Sequence, residues 1–293
     1  MIEQDPRLHV AAVASGATVH TTVCGACRIE WREWGAGRPL VLLHGDAGSW
    51  THWIRNVLVL AQGFRVIVPD IPGYGGSASP AEPATPEHLA ALLAEGLAAL
   101  PNAPGGYGLA GFSFGGIVAG HLAARDADRV EQLILLGAGG LGLPVPHLPG
   151  ALRRAGPIMA PNEIAAVHRH NLAVLMFGDP ARIDLLAIHV QMENLRTARG
   201  RAGGFPASDS LRQVLPRVKA RLGGIWGERD AFAAPFLAER EALLRRAHPE
   251  LRFHVVAGAG HWTPYEAADS VNRMLLDMLG AGSGNPALPA ASA

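Results

Sequence analysis

Lysine is almost missing from this sequence of 293 residues: Lys219 stands alone beside 24 arginines. Schiff-base chemistry and the phosphate-binding G-K-[ST] loop therefore have almost nothing to work with. Charge of either sign is also missing in excess. Twenty-five basic residues balance 25 acidic ones, for a formal net charge of zero. That removes the bulk electrostatic attraction that nucleic acid or an anionic membrane would need. No run of 18 apolar residues occurs, so a spanning helix is not expected. The first residues carry Glu3 and Asp5, with no basic region and no apolar stretch of a signal peptide, so a cytoplasmic protein is expected.

Cysteine is scarce as well. Cys24 and Cys27 form a single C-x-x-C, with no second cysteine or histidine pair nearby in sequence to complete a zinc site. Residues 19–23 and 29–34 read as the strands of a hairpin, with Gly25-Ala26 as its two-residue turn. The cysteines then flank the turn as small packing residues.

What is plentiful is glycine and proline: 36 and 22 residues, about a fifth of the chain, which implies many tight turns. The length is awkward for one compact domain and short for two, so a core carrying one insertion is expected. Short apolar runs at 39–43, 65–69, 106–110, 132–136, 222–226 and 252–256 read as strands buried on both faces. Helical patterns alternate with them at 86–100, 115–125, 235–247 and 265–279, the first opened by Thr85 as cap and Pro86 at the first helical position. This alternation predicts an α/β fold, a mostly parallel sheet between helices. It breaks once, between Gly137 and about Pro216, where helical stretches at 162–177 and 180–199 suggest a helical insertion. The tail 281–293 is expected to be disordered.

Gly111-Phe112-Ser113-Phe114-Gly115 carries the sharpest chemical signal. Taken alone, G-x-S-x-G is a weak motif, but here a strand precedes it and a helix follows, as a nucleophile elbow requires. The turn strains Ser113 and holds its hydroxyl clear of the sheet, while the N–H groups at the helix start face the same space. A serine hydroxyl attacks only when a base removes its proton, and that base needs an orienting carboxylate. Asp230 follows the strand 222–226 and His261 follows the strand 252–256. All three residues thus fall beyond the carboxyl ends of strands, where open α/β sheets bind ligands.

With these residues in order, the chain resembles the α/β-hydrolases over about residues 17–280. The resemblance extends to His44-Gly45-Asp46, similar to the family's H-G-x turn, and to Asp70-Ile71-Pro72-Gly73-Tyr74-Gly75-Gly76-Ser77, similar to its D-x-P-G-x-G-x-S turn. It implies an oxyanion hole made by the N–H groups of Phe114 and Asp46, with Ala47 as the alternative to Asp46, a structural role for His44, and a cap that selects substrate. The expected division is a core at 1–140 and 217–280 with a helical cap at 141–216. Gly139-Gly140-Leu141-Gly142 and Trp262 are similar to the subgroup that cleaves carbon–carbon bonds in aromatic ring-cleavage products. That subgroup usually has H-G-x-G-P-G and an asparagine before the nucleophile, where this chain has His44-Gly45-Asp46-Ala47-Gly48 and Phe112.

Among the remaining candidates, Glu228 is the rival to Asp230 as the acid, and its place in Gly227-Glu228-Arg229-Asp230 favours Asp230. His168 and His170 point some 200° apart on a helix and do not share a metal ion. Arg196 is the arginine chosen from the cap as a clamp for a substrate carboxylate, with Phe112 and Trp262 as further substrate-binding residues. The sequence thus predicts a cofactor-independent serine hydrolase, with no metal site, acting on a small, largely apolar carboxylic ester. The alternatives are a carbon–carbon bond hydrolase with the same triad and, from another class, a non-catalytic ligand receptor on the same fold. The expected partner is a small-molecule substrate, with no nucleic acid and no membrane; a homo-oligomer is left open.

Overall fold

The computed structural model describes residues 5–81 and 84–280, so the tail expected at 281–293 lies outside the described residues. Its strands are β1 (Thr18–Cys24), β2 (Cys27–Trp34), β3 (Arg38–Leu43), β4 (Phe64–Pro69), β5 (Tyr107–Phe112), β6 (Val130–Leu136), β7 (Arg221–Gly227) and β8 (Arg252–Val256). They form one sheet in the order β1-β2-β4-β3-β5-β6-β7-β8. The β1–β2 and β2–β4 pairings are antiparallel, and every pairing from β4 to β8 is parallel. The chain steps from β3 outward to β4 and then returns to β5 on the other side of β3. This reversal opens a crevice at the carboxyl ends of β3 and β5, the place where such sheets take ligands.

Side chains alternate across the sheet, so each central strand feeds two cores. Val41 and Leu43 pack with Leu93, Phe114 and Ile117 on one face. Leu40 and Leu42 pack with Trp53, Trp262 and Leu275 on the other. Every residue of β5 is buried, which explains its uninterrupted apolar character in the sequence. The expected hairpin is present: Cys24 pairs with Cys27 across the turn, Gly25 takes φ +56°, and both thiols are free and buried.

The helices are α1 (Pro6–Ser15), α2 (Val57–Leu60), α3 (Pro86–Ala98), α4 (Phe114–Arg125), α5 (Pro161–Leu175), α6 (Leu185–Thr197), α7 (Ser210–Val214), α8 (Leu237–Ala247), α9 (Thr263–Glu266) and α10 (Ala268–Met278). Thr85 caps α3 as its sequence suggests, accepting the His88 N–H at 3.1 Å. No helix among the described residues is long and apolar enough to cross a membrane. Helix α1 was not expected. Its signals were present, since Asp5 accepts the Arg7 N–H and Pro6 stands at the first helical position. It rests on α6, and its Val13 carbonyl accepts from Trp34 Nε1 at 3.0 Å.

Helices α5, α6 and α7 all lie between β6 and β7, where the strand rhythm of the sequence breaks. They do not behave alike. Helix α7 packs on α4 of the core: His121 Nε2 meets Ser210 Oγ at 2.8 Å, and a Cβ on Gly120 would sit 2.2 Å from Leu211. The last helix of the segment expected as cap thus lies against the core helix α4. The stretch 143–160 contains neither helix nor strand and exposes Val145, Leu152 and Ile158.

Candidate active site

Three strand ends converge on one point. Ser113 follows β5 and precedes α4 with φ +54° and ψ −119°, a conformation that L-residues rarely adopt. Its N–H is fixed by the Leu136 carbonyl at 2.8 Å. The strain is tolerated because the strand and helix approach closely only where side chains are absent. A Cβ on Gly111 would lie 2.4 Å from the Gly115 carbonyl, and one on Gly115 would lie 2.2 Å from the His44 carbonyl.

His261, in the loop after β8, places Nε2 2.9 Å from Ser113 Oγ and Nδ1 2.8 Å from Asp230 Oδ2. Asp230, in the loop after β7, is fully buried, and its Oδ1 accepts the Phe232 N–H at 2.8 Å. A carboxylate can only accept, so the proton of the neutral imidazole belongs on Nδ1, leaving Nε2 free to receive the serine proton. Gly137, at φ +57°, lets the chain pass the pair: a Cβ there would stand 3.2 Å from the His261 ring. Glu228 points elsewhere and accepts the Gly258 N–H at 2.8 Å.

The turn after β3 closes the other side. A Cβ on Gly45 would meet Ser113 Cβ at 3.2 Å, so this turn lies directly against the elbow. The N–H of Asp46 has no acceptor among the described residues, and Phe114 opens α4, where the first N–H groups lack intrahelical acceptors. The Asp46 side chain is engaged instead. Its Oδ1 accepts from Tyr74 Oη at 2.7 Å, Ala47 N at 2.9 Å and Ala202 N at 3.0 Å, the last reaching across from the segment after α6. His44 is fully buried between Gly45 and Ile71. The Ile71 N–H donates to Nε2 at 2.9 Å, so Nδ1 holds the proton and donates to the Gly45 carbonyl at 2.8 Å. Burial pushes its pKa down to about 4, which keeps it neutral. Asp70 of the D-x-P-G turn accepts the N–H groups of Trp50 and Gly76 at 2.8 Å each.

A cavity of about 280 Å³ opens on Ser113 and His261, with Asp46, Leu141, Val145 and Phe232 in its wall. Three expected substrate contacts are placed elsewhere. Arg196 lies on the outer surface of α6, its side chain 70% exposed and paired with Glu193 at 2.8 Å. Phe112 is buried behind the site, its ring 5.1 Å from the His261 ring. Trp262 is fully buried beside His52, to whose carbonyl it donates at 3.1 Å. Alternation along β5 turns Phe112 away from the face that Ser113 presents, and the chain after His261 turns inward at once.

Other residues of the site were not singled out from the sequence. Phe232 packs edge-on against His261 with ring centroids 4.7 Å apart. Its offset of two from Asp230 was the available signal. Glu266, nearly buried, accepts the N–H groups of Gly178, Asp179 and Gly260 at 3.0, 2.8 and 2.6 Å. It thereby joins the loop of His261 to the segment after α5. Nothing local marks that role, because Gly178 and Asp179 are distant in sequence.

The model of the alpha/beta hydrolase family matches residues 40–274. A dihydrolipoyllysine-residue acetyltransferase component of the acetoin cleaving system from Pseudomonas putida is 30% identical over 91% of this chain and 70% of that protein. A 2-hydroxy-6-oxononadienedioate/2-hydroxy-6-oxononatrienedioate hydrolase from Paraburkholderia phymatum is 30% identical over 86% of this chain and 91% of that protein. A solved meta-cleavage product hydrolase from Pseudomonas fluorescens IP01 superposes with a TM-score of 0.72 at 20% identity, over 90% of this chain and 98% of that one, a likeness of fold. With the family model covering residues 40–274, from β3 into α10, this chain belongs to the alpha/beta hydrolase family.

Proposed function

We propose that this protein hydrolyses a small carboxylic ester through an acyl-enzyme on Ser113. The observation that carries the reading is the continuous hydrogen-bond chain Ser113–His261–Asp230, at 2.9 and 2.8 Å, opening on a cavity walled mostly by apolar groups. Ser113 Oγ attacks the carbonyl carbon while His261 Nε2 takes its proton. The oxygen that becomes negative is received by the N–H groups of Phe114 and Asp46, a contribution of about 3 kcal/mol per donor. His261 then gives its proton to the departing alcohol, leaving the acyl group on Ser113. Water, losing a proton to the same nitrogen, attacks the acyl carbon, and the serine regains its hydrogen as the acid leaves. Asp230 holds the imidazole tautomer and balances the imidazolium throughout.

The test is Ser113→Ala assayed on short p-nitrophenyl esters, with loss of roughly a thousandfold or more in kcat expected. Hydrolysis persisting at the unaltered rate would overturn the assignment. A second reading, carbon–carbon bond hydrolysis by the same residues, is favoured by a specific observation: relatives about 30% identical are named for 2-hydroxy-6-oxo-dienoate substrates. Faster consumption of such a dienoate than of any short ester decides for it.

A further inference from the structure

One arginine stands in the wall of the Ser113 cavity among the described residues, and it is Arg240, from the core helix α8. Its side chain folds back under the loop that carries Asp230. Nη1 donates to the carbonyls of Ala233 and Phe236 at 3.3 Å each, and Nη2 donates to the Phe232 carbonyl at 3.0 Å. Those acceptors fix the plane of the guanidinium but bring no negative charge. Three of its five N–H groups are used, leaving one on Nη2 for a carboxylate oxygen, while Nε–H, also without an acceptor, is closed off from the cavity.

The setting makes this an unusual place for a cation. Arg240 is only 5% exposed, and its Nε is buried without an acceptor. Among the described residues it forms no ion pair. Two carboxylates act on its charge without pairing with it: Asp230, already committed to His261 and to the Phe232 N–H, and Glu239, its neighbour in α8. A guanidinium does not escape by losing its proton, so a buried one needs a counter-ion. Burial pushes Arg240 below its ordinary pKa, while the Asp230 charge pulls the other way. The remaining carboxylate of the cavity wall, Asp46, shares one oxygen among three donors.

We propose that Arg240 is a carboxylate subsite, and that the preferred substrate of Ser113 is an ester whose acyl chain ends in a free carboxylate. The proposal rests on the acyl-enzyme reading of Ser113. The spacing is short, because Arg240 is bonded to the carbonyl of Phe232, whose ring lies against His261. A cavity of about 280 Å³ accordingly suits a half-ester of a short dicarboxylic acid.

The experiment compares the p-nitrophenyl half-ester of glutaric acid with neutral p-nitrophenyl pentanoate in the unaltered protein, Arg240→Gln and Arg240→Lys. The ratio of kcat/KM between the two esters is expected to fall about tenfold or more in Arg240→Gln and less in Arg240→Lys. Free glutarate is expected to compete with substrate in the unaltered protein, glutaramide is not, and Arg240→Gln is expected to lose that inhibition. An unchanged ratio, with both esters affected alike, overturns the subsite and leaves Arg240 as a brace of the Asp230 loop. Should Arg240→Gln fail to fold, absence of glutarate inhibition in the unaltered protein overturns it equally. If instead neither ester is cleaved and a fluorophosphonate leaves Ser113 unlabelled, the acyl-enzyme reading is what has failed. Calorimetric glutarate binding that disappears in Arg240→Lys or Arg240→Gln then still reads the subsite.

Discussion

At the scale of single residues, the geometry around Ser113 rests on what glycine omits. His44 and Gly115 approach so closely that any side chain at 115 would meet the His44 carbonyl at 2.2 Å. Because backbone cannot swing away as a long side chain can, Gly115→Ala must push the turn after β3 off the elbow. Overpacking of this kind costs about 1–3 kcal/mol or more, and here it would also displace the Asp46 N–H. Gly115→Ala is expected to lower the thermal midpoint and to reduce kcat for the proposed ester hydrolysis by about a hundredfold. Gly204→Ala, where an added Cβ meets nothing within 4 Å, is expected to change neither. Equal behaviour of the two variants in melting and rate measurements would contradict the account.

At the scale of elements, loops carry the chemistry and carboxylates hold the loops. Glu266 of α9 gathers three backbone N–H groups, from Gly178 and Asp179 after α5 and from Gly260 beside His261. Asp184, the cap of α6, receives the Tyr265 hydroxyl at 2.6 Å and the Arg55 guanidinium, so α6 is pinned to the core near its start. Asn194 accepts from Ser49 at 2.7 Å and from Thr51 at 3.1 Å later in the same helix. Glu266→Gln replaces an acceptor-only carboxylate with a group that must turn an NH2 toward buried N–H donors. The expected loss is about 2 kcal/mol in a urea titration, with a lower kcat because the His261 loop loosens. Retention of both values would show that Glu266 positions nothing.

At the scale of the whole molecule, burial of neutral histidines sets a pH dependence of stability. His44 is held down to about pKa 4 by burial, against an ordinary 6.5, and His52 is pushed well below 6.5 by burial and by its histidine neighbours. Between those values the unfolded chain binds protons that the folded chain refuses. The contribution of His44 is therefore complete above about pH 6.5 and is lost as pH falls toward about 4, and His52 acts in the same sense. Each such group gives a slope of about 1.4 kcal/mol per pH unit inside its window. Burial raises the Asp70 carboxyl, which acts in the opposite sense with one proton against two. Urea midpoints are expected to fall steadily from about pH 7 to about pH 5, and a flat profile would contradict buried neutral imidazoles as the source.

The sequence by itself determined the parts governed by local sterics and short-range pattern. Thr85-Pro86 starts α3, Gly25 turns the hairpin, and the buried runs at β3 and β5 announce a sheet covered on both faces. Gly111 to Gly115 specifies a serine elbow, since only glycine tolerates that approach of strand and helix. Three loops at strand ends were enough to name Ser113, Asp230 and His261 as a set, because the order of a parallel sheet brings its carboxyl ends to one side. Tertiary structure decided what each remaining side chain faces. Arg196 and Arg240 are the same residue type on helices of similar length, yet one is solvated beside Glu193 and the other is buried in the cavity wall. Exposure depends on which distant element a helix packs against, and no periodicity within twenty residues records it. The same holds for Phe112 and Trp262, drawn inward by the sheet they adjoin, and for Glu266, two of whose three partners lie almost ninety residues away. Local backbone geometry fixes where a nucleophile stands; long-range packing fixes what surrounds it.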